Sequence, residues 1–277
     1  MIYCKELLEK KHVLVAAHRG MFGADIPCNS IPAFELALKS GADILEMDLF
    51  KSTDGEVFVF HNGTEPFFLD RHTDIMRMSS EEIRSLKLVN CDKRDTRYGI
   101  SSFDEILEIF KGRCLINMDR AFKTGCFVEA AERVKAHNMQ DQILVKSDPI
   151  LENLKLVEEY APDFMYMPVL METDEITETI EHMNINYIGA ELVFATEDAP
   201  IAQDSYIDMH HKAGRLLWGN AIEYDHKIPL AAGHCDNLSL LDDPEKGWGW
   251  LVEKGFQIVQ SDWAAQCAAY MRNRFGY

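Results

Sequence analysis

Eight short, almost continuously apolar runs punctuate the chain, at Val13–Ala17, Asp43–Leu49, Leu115–Met118, Ile143–Val145, Phe164–Met167, Tyr187–Gly189, Arg215–Trp218 and Gln257–Gln260. Runs of this length and character suit parallel strands buried on both faces. An amphipathic stretch follows each one. Phe103, Ile106, Leu107 and Phe110 stand at the spacing of one helix face, with Ser102 and Glu105 placed as a capping box. Further helical patterns cover 30–40, 125–137, 150–160, 174–183, 200–213, 247–254 and 263–274. Eight β/α pairs predict an α/β fold of the TIM (β/α)8 type; a doubly wound open sheet has the same periodicity and is the alternative. The length of 277 residues fits one such barrel or two smaller domains. No linker or low-complexity tract divides the sequence, so a single domain over 1–277 is expected. Two segments interrupt the alternation. One is an insert at about 58–100 after the second run, with a strand-like piece at Val57–Phe60 and a helix start at Ser79 and Glu82; the other is a long loop between Asn220 and Lys246. Both follow strands, so in a barrel both overhang the C-terminal face, where active sites form.

Charge narrows the range of partners. Acidic residues number 46 against 28 basic ones, a formal net charge of −18. That balance argues against nucleic acid and against stable association with an anionic membrane, but it leaves room for a small anionic substrate beside a few local cations or a metal. The seven cysteines are odd in number and lack a CxxC pair, which reads as reduced thiols. The opening residues lack an apolar signal core and no run of 18 apolar residues occurs, so a cytoplasmic location is expected.

The chemistry-bearing residues sit at the ends of the apolar runs. His18 and Arg19 close the first; a planar guanidinium suits phosphate, although a polar strand-to-loop transition with a turn glycine gives the same pattern. Glu46 and Asp48 lie two apart in the second run, so on a strand both carboxylates face one side. Two such carboxylates stay ionised cheaply beside a cation, and a hard divalent metal is the simplest partner; an edge strand with a solvated face is the alternative. His61 ends the Val57–Phe60 piece and pairs with His18 as a candidate acid/base couple. Asp119 at the tip of the third run either completes a three-oxygen metal site or caps a helix.

The order His18-Arg19-Gly20, Pro27-Cys28-Asn29-Ser30, Ala33-Phe34, Gly41-Ala42-Asp43 leading to Glu46 and Asp48, Asp54-Gly55 and then His61 resembles the glycerophosphodiester phosphodiesterase family. The likeness is firm over 13–62 and continues more weakly through Asp119, Trp218-Gly219-Asn220 and Gln260-Ser261-Asp262-Trp263. It implies a TIM barrel with a small insert after the second strand. The activity implied is metal-dependent hydrolysis of small-molecule glycerophosphodiesters to glycerol 3-phosphate and an alcohol. By the same resemblance His18 and His61 match the acid/base pair, Arg19 a phosphate contact, and Glu46, Asp48 and Asp119 the ligands of one divalent cation, Mg²⁺, Ca²⁺ or Mn²⁺.

Three positions depart from the family pattern. Cys28 stands where Glu is usual, Asn62 where Asp is common, and Ala121 where a Lys often lies. Arg120, Lys123 and Lys146 are candidate replacements for that lysine, with Lys146 preferred because it closes its run at the barrel mouth. Cys28 reads as a small filler. Trp218 is expected either to pack on the glycerol or to lie in the core, and Glu191 either to meet substrate hydroxyls or to lie on the surface. His234 and Asp236 read as solvated loop residues, His210-His211 as structural or exposed, and Trp248-Gly249-Trp250 as packing onto the barrel. Two other functions fit the same residues: a sphingomyelinase D-like phospholipase and a non-catalytic glycerophosphate-binding barrel.

Overall fold

The computed structural model describes residues 2–277. Strands β1 (Leu14–Ala17), β2 (Ile44–Lys51), β4 (Leu115–Asp119), β5 (Ile143–Ser147), β6 (Met165–Met171), β7 (Gly189–Val193), β8 (Leu216–Asn220) and β9 (Ile258–Ser261) pair in parallel, each with its neighbours. β1 pairs with both β2 and β9, so the sheet closes. The short β3 (Val57–Val59) runs antiparallel to the end of β2 and opens the insert. This is a TIM barrel with an insert after the second strand, and the open-sheet alternative is excluded by closure.

Helices fill the connections: α1 (Ile2–Lys10) before the barrel, α2 (Ile31–Ser40), α3 (Glu65–Phe68) and α4 (Ser80–Ser85) in the insert, then α5 (Phe103–Phe110), α6 (Phe127–Ala136), α7 (Leu151–Tyr160), α8 (Thr177–Glu181), α9 (Asp204–Lys212), α10 (Asp236–Leu241), α11 (Trp250–Lys254) and α12 (Ala264–Phe275). The predicted face of α5 is fully buried at all four positions. Each such side chain contributes about 1.5–3 kcal/mol from apolar burial. Ser102 accepts from the Glu105 amide at 3.3 Å, and Ser79 and Glu82 form the complete capping box.

Two layers fill the barrel interior. The lower layer is apolar, with Leu14, Ile44, Leu115, Leu144, Met165 and Trp218 in one cluster. Cys4, Leu7 and Leu8 of α1 pack on the same cluster and plug the end opposite the strand tips. The upper layer is polar and buried: Glu46, Asn117, Lys146, Glu191, Asn220 and Gln260. Strand alternation produces both layers, because inward residues recur every second position. The insert has a small core of its own, in which Phe50 of β2 meets Phe58, Phe60, Leu69, Ile83 and Leu88. β2 therefore carries metal-type carboxylates in its middle and anchors the insert at its end.

Candidate active site

Register brings the acidic residues together. Asp48 of β2 stands directly opposite Asp119 of β4, and Glu46 opposite Asn117. One oxygen each from Glu46, Asp48 and Asp119 lies within 4.8 Å of the others, and among the described residues no other trio of such side chains converges this way. Glu46 and Asp48 are buried and Asp119 is half-buried. Burial, reinforced by the Asp48 charge, pushes the Glu46 carboxyl up to about 8 despite the opposing field of His18. Its Oε1 is buried without a hydrogen-bond partner. An orphaned buried oxygen amid excess negative charge is the environment a hard divalent cation would neutralise, so the donor set fits the metal that the sequence implies.

The segment after β1 is shaped around these carboxylates. Arg19 adopts φ 57°, which points its backbone N–H at Glu46 Oε2, 2.7 Å away. Its Nε lies 3.0 Å from Asp48 Oδ2. Asn29, also left-handed at φ 51°, donates to the same Asp48 oxygen at 2.8 Å and accepts from the Asp48 amide at 3.2 Å. Left-handed non-glycine residues concentrated around one carboxylate are backbone strain held by the site. Gly20 at φ +79° completes the turn, and a Cβ there would lie 2.8 Å from the Ala33 carbonyl carbon. Gly20→Ala is therefore expected to cost about 1–3 kcal/mol and to raise KM through displacement of Arg19; chemical denaturation and steady-state kinetics read the two effects.

The two histidines have opposite surroundings. His18 Nδ1 is 2.7 Å from Asp262 Oδ1, just past β9, and Nε2 is 3.3 Å from the Tyr224 hydroxyl. Burial opposes a charge on His18, but the Asp262 hydrogen bond and the fields of Glu46 and Asp262 outweigh it and raise its pKa above the ordinary value. His61 is held below its ordinary value by burial and by the Arg19 and Arg120 guanidiniums, against the pull of Asp48. Arg120, at φ 61°, lies 3.2 Å from His61 Nε2 and donates twice to Asn62 Oδ1, at 3.1 and 2.9 Å. Asn62 thus holds the guanidinium beside the histidine without neutralising it.

Several expectations change. Lys146 is buried in an ion pair with Glu191 at 2.6 Å and lies 3.9 Å from the Trp218 ring centroid. Its charge is compensated within the barrel, whereas Arg120, among the described residues, meets only the neutral side chains of Asn62 and His61. Glu191 lies within β7, not beyond the strand, and also accepts from Asn220 at 2.5 Å. Trp218 has no exposed surface and lies in the interior beneath Lys146. Asp236 is buried, not solvated: it accepts from Trp248 Nε1, Ser261 Oγ and the Asp262 amide at 2.7, 2.7 and 2.8 Å. Burial pushes its carboxyl up to about 7 against those bonds. Its place in the network fixes Asp262, which in turn orients His18. His234 stacks on Trp250 with ring centroids 3.7 Å apart. His210 is buried, and Lys123 is exposed beside Asp148. Burial pushes the Cys28 thiol up to about 12, which fits a filler and not a nucleophile.

Asp262, Asn29 and Tyr224 were assigned no role from sequence. Asp262 follows an apolar run just as Asp119 does, so strand-tip position was a usable signal. Tyr224 reaches His18 from the long β8 loop, and nothing local in the sequence marks it.

A closed parallel barrel whose strand tips gather three carboxylates, two histidines and two arginines defines a class of TIM barrels equipped for an anionic ligand beside a cation. The chain belongs to the glycerophosphoryl diester phosphodiesterase family, whose model matches residues 18–215. Residues 166–271 also match a family described as a domain of unknown function. Glycerophosphodiester phosphodiesterases from Caldanaerobacter subterraneus subsp. tengcongensis and Bacillus altitudinis are each 27% identical to it, over 146 and 144 residues. Those matches cover 48% of this chain and 57% of each relative, little more than half their length. A glycerophosphoryl diester phosphodiesterase from Parabacteroides distasonis superposes with a TM-score of 0.74 at 20% identity, covering 95% of this chain and 86% of that one. A phosphodiesterase from Oleispira antarctica, described in complex with the product sn-glycerol-3-phosphate, superposes at 0.66 with 17% identity, covering 92% and 95%. At these identities the likeness to the solved structures is one of fold.

Proposed function

We propose that this barrel hydrolyses glycerophosphodiesters to glycerol 3-phosphate and an alcohol with the help of one divalent cation. The observation that carries this reading is the convergence of Glu46, Asp48 and Asp119 within 4.8 Å beside two histidines of opposite protonation tendency. Glu46, Asp48 and Asp119 would hold the ion, Mg²⁺, Ca²⁺ or Mn²⁺, which supplies charge compensation for a phosphoryl oxygen when bound. The glycerol 3-phosphate product of the Oleispira antarctica protein supports the same product here.

The chain's own groups divide the remaining work. Arg19 and Arg120 line the phosphate position with donors. Arg120 turns its fork from His61 to the incoming phosphate, which frees Nε2 of the neutral imidazole. His61 then takes the proton from the nucleophile, either water or the glycerol 2-hydroxyl. As the new P–O bond forms, the bond to the alcohol breaks and His18, kept charged by Asp262, protonates the leaving oxygen. If the 2-hydroxyl attacks, a cyclic phosphate forms first and is then opened by water. Phosphorus NMR of glycerophosphocholine, -ethanolamine, -inositol and -glycerol tests the reading: glycerol 3-phosphate must accumulate, and a transient cyclic signal identifies the internal route. Absence of both from every diester, with each metal supplied, refutes hydrolysis.

The division of labour fixes the pH profile. kcat/KM is expected to rise as His61 loses its proton, below the ordinary histidine value, and to fall as His18 loses its own above it. Asp262→Asn removes the partner that favours charged His18, so the falling limb moves to lower pH while the rising limb stays. A profile unchanged in both limbs contradicts the assignment of His18 as the acid.

A further inference from the structure

His18 has one ring nitrogen left for chemistry. Nδ1 faces Asp262 at 2.7 Å, so only Nε2 can reach a substrate. That nitrogen already has a neighbour. The Tyr224 hydroxyl stands 3.3 Å from it, with the two rings edge to face and their centroids 5.7 Å apart. Although burial opposes it, Asp262 favours the charged imidazole. A charged imidazole carries a proton on each nitrogen, so Nε2 donates and the hydroxyl oxygen accepts. The hydroxyl then has its own proton to give, and among the described residues none accepts it.

Tyr224 is 63% exposed, yet it is held in place. It belongs to the segment 221–235 between β8 and α10, and that segment is fastened to the barrel at several points. The Ala221 amide donates to the Gln260 carbonyl at 2.8 Å, and the Asp236 amide to the Ala221 carbonyl at 2.6 Å. The Phe194 amide, just past β7, donates to the Leu230 carbonyl at 3.0 Å. Glu223, next to Tyr224, accepts from Cys235 Sγ at 3.0 Å and from Asn237 Nδ2 at 2.9 Å. Burial of the phenol, reinforced by the charge of Glu46 and, more weakly, of Asp119 and Asp48 against that of Arg19, holds its pKa above the ordinary value. The hydroxyl therefore stays protonated, and it lies within the field of the carboxylates. In-line displacement puts the leaving oxygen opposite the nucleophile. With His61 serving the nucleophile, the leaving oxygen falls on the side of His18 and Tyr224.

We propose that Tyr224 is a further catalytic residue, which stands between His18 and the leaving oxygen and hands the proton across. As the bond from phosphorus to the alcohol oxygen breaks, its electron pair takes the phenol proton, and the phenol oxygen takes the Nε2 proton in the same step. The alcohol leaves neutral, Tyr224 ends as it began, and His18 is left neutral. No free tyrosinate forms, which the neighbouring carboxylates would oppose. His18 remains the source of the proton, so the inference rests on the phosphodiesterase reading and adds the path that the proton follows.

Tyr224→Phe tests it, because the ring is kept and the proton carrier removed. Wild type and variant are compared, with metal supplied, on glycerophosphocholine and on the nitrophenyl ester of glycerol 3-phosphate, whose leaving oxygen needs no proton. For glycerophosphocholine kcat is expected to fall about 100-fold, the low end of the range for a positioned proton donor, with KM unchanged. The nitrophenyl ester should be cleaved as fast as by the wild type. Ile228→Ser, at an exposed position of the same segment, should leave both rates unchanged, which separates loss of the hydroxyl from disturbance of the segment. An equal loss on both substrates gives Tyr224 a structural role and overturns the inference. So does a glycerophosphocholine rate that is unchanged or raised, since substrate then displaces the hydroxyl from His18. In either case wild-type turnover shows that the phosphodiesterase reading survives. If the wild type cleaves neither ester with any metal, that reading fails and the relay falls with it.

Discussion

Replacing either histidine with alanine is expected to lower glycerophosphodiester turnover by roughly 100- to 10,000-fold, the usual range for losing a positioned proton donor or acceptor. The two losses should differ in kind. His18→Ala removes the group aligned by Asp262, Ser261 and Asp236, so the leaving oxygen departs without a proton. The defect should shrink with substrates whose alcohol has a low pKa, such as a nitrophenyl ester. His61→Ala removes the acceptor of the nucleophile's proton, and the same activated substrate should not rescue it. Neither change should unfold the barrel. Asp262 is a third exposed and can be solvated when His18 is gone, and His61 lies on the insert outside the barrel layers. Circular dichroism and cooperative thermal unfolding check this. Near-normal turnover in either variant removes that histidine from the mechanism.

The second large effect is on metal-linked stability. In the folded chain Glu46 keeps its proton up to about pH 8, whereas the unfolded chain releases it near 4.5. Between those values the native state binds more protons, so metal-free stability should fall as pH rises through the window. A divalent cation binds the ionised carboxylates and should remove that fall. At 100 times its dissociation constant it should raise Tm by about 5–10 °C. Glu46→Gln deletes both behaviours: its metal-free stability is flatter with pH, and the metal shift is lost. Asp236 is also raised and contributes with the same sign, so the difference between wild type and Glu46→Gln isolates Glu46. A Glu46→Gln protein that gains the same Tm from metal as the wild type places the cation elsewhere.

The barrel was legible because buried parallel strands write themselves as apolar runs, and the eight runs found the eight strands. The ends were less legible where a strand turns polar. The sixth run stops at Gly189, yet β7 continues to Val193 because Glu191 points inward to Lys146 and breaks the apolar pattern. The helix α1 carried no capping signal; it is held by the barrel floor, a tertiary effect that no local window contains. The metal-type carboxylates were legible from spacing alone, since positions 46 and 48 must share a face. What the sequence concealed is which polar residues neutralise each other. Lys146 is the preferred candidate among Arg120, Lys123 and Lys146 from sequence, and nothing local shows that Glu191 already pairs with it. Asp236 looked like a solvated loop residue because its partners, Trp248 and Ser261, lie 12 and 25 positions away.

In the proposed mechanism Glu46, Asp48 and Asp119 hold one divalent cation on which diester cleavage depends. Release of glycerol 3-phosphate by EDTA-treated protein, measured as Mg²⁺, Ca²⁺ or Mn²⁺ is titrated back with calorimetry in parallel, tests it most directly. No release is expected without metal, and recovery should saturate at one ion per chain. Full turnover in EDTA, or recovery that persists in Glu46→Gln with unchanged ion affinity, would contradict it.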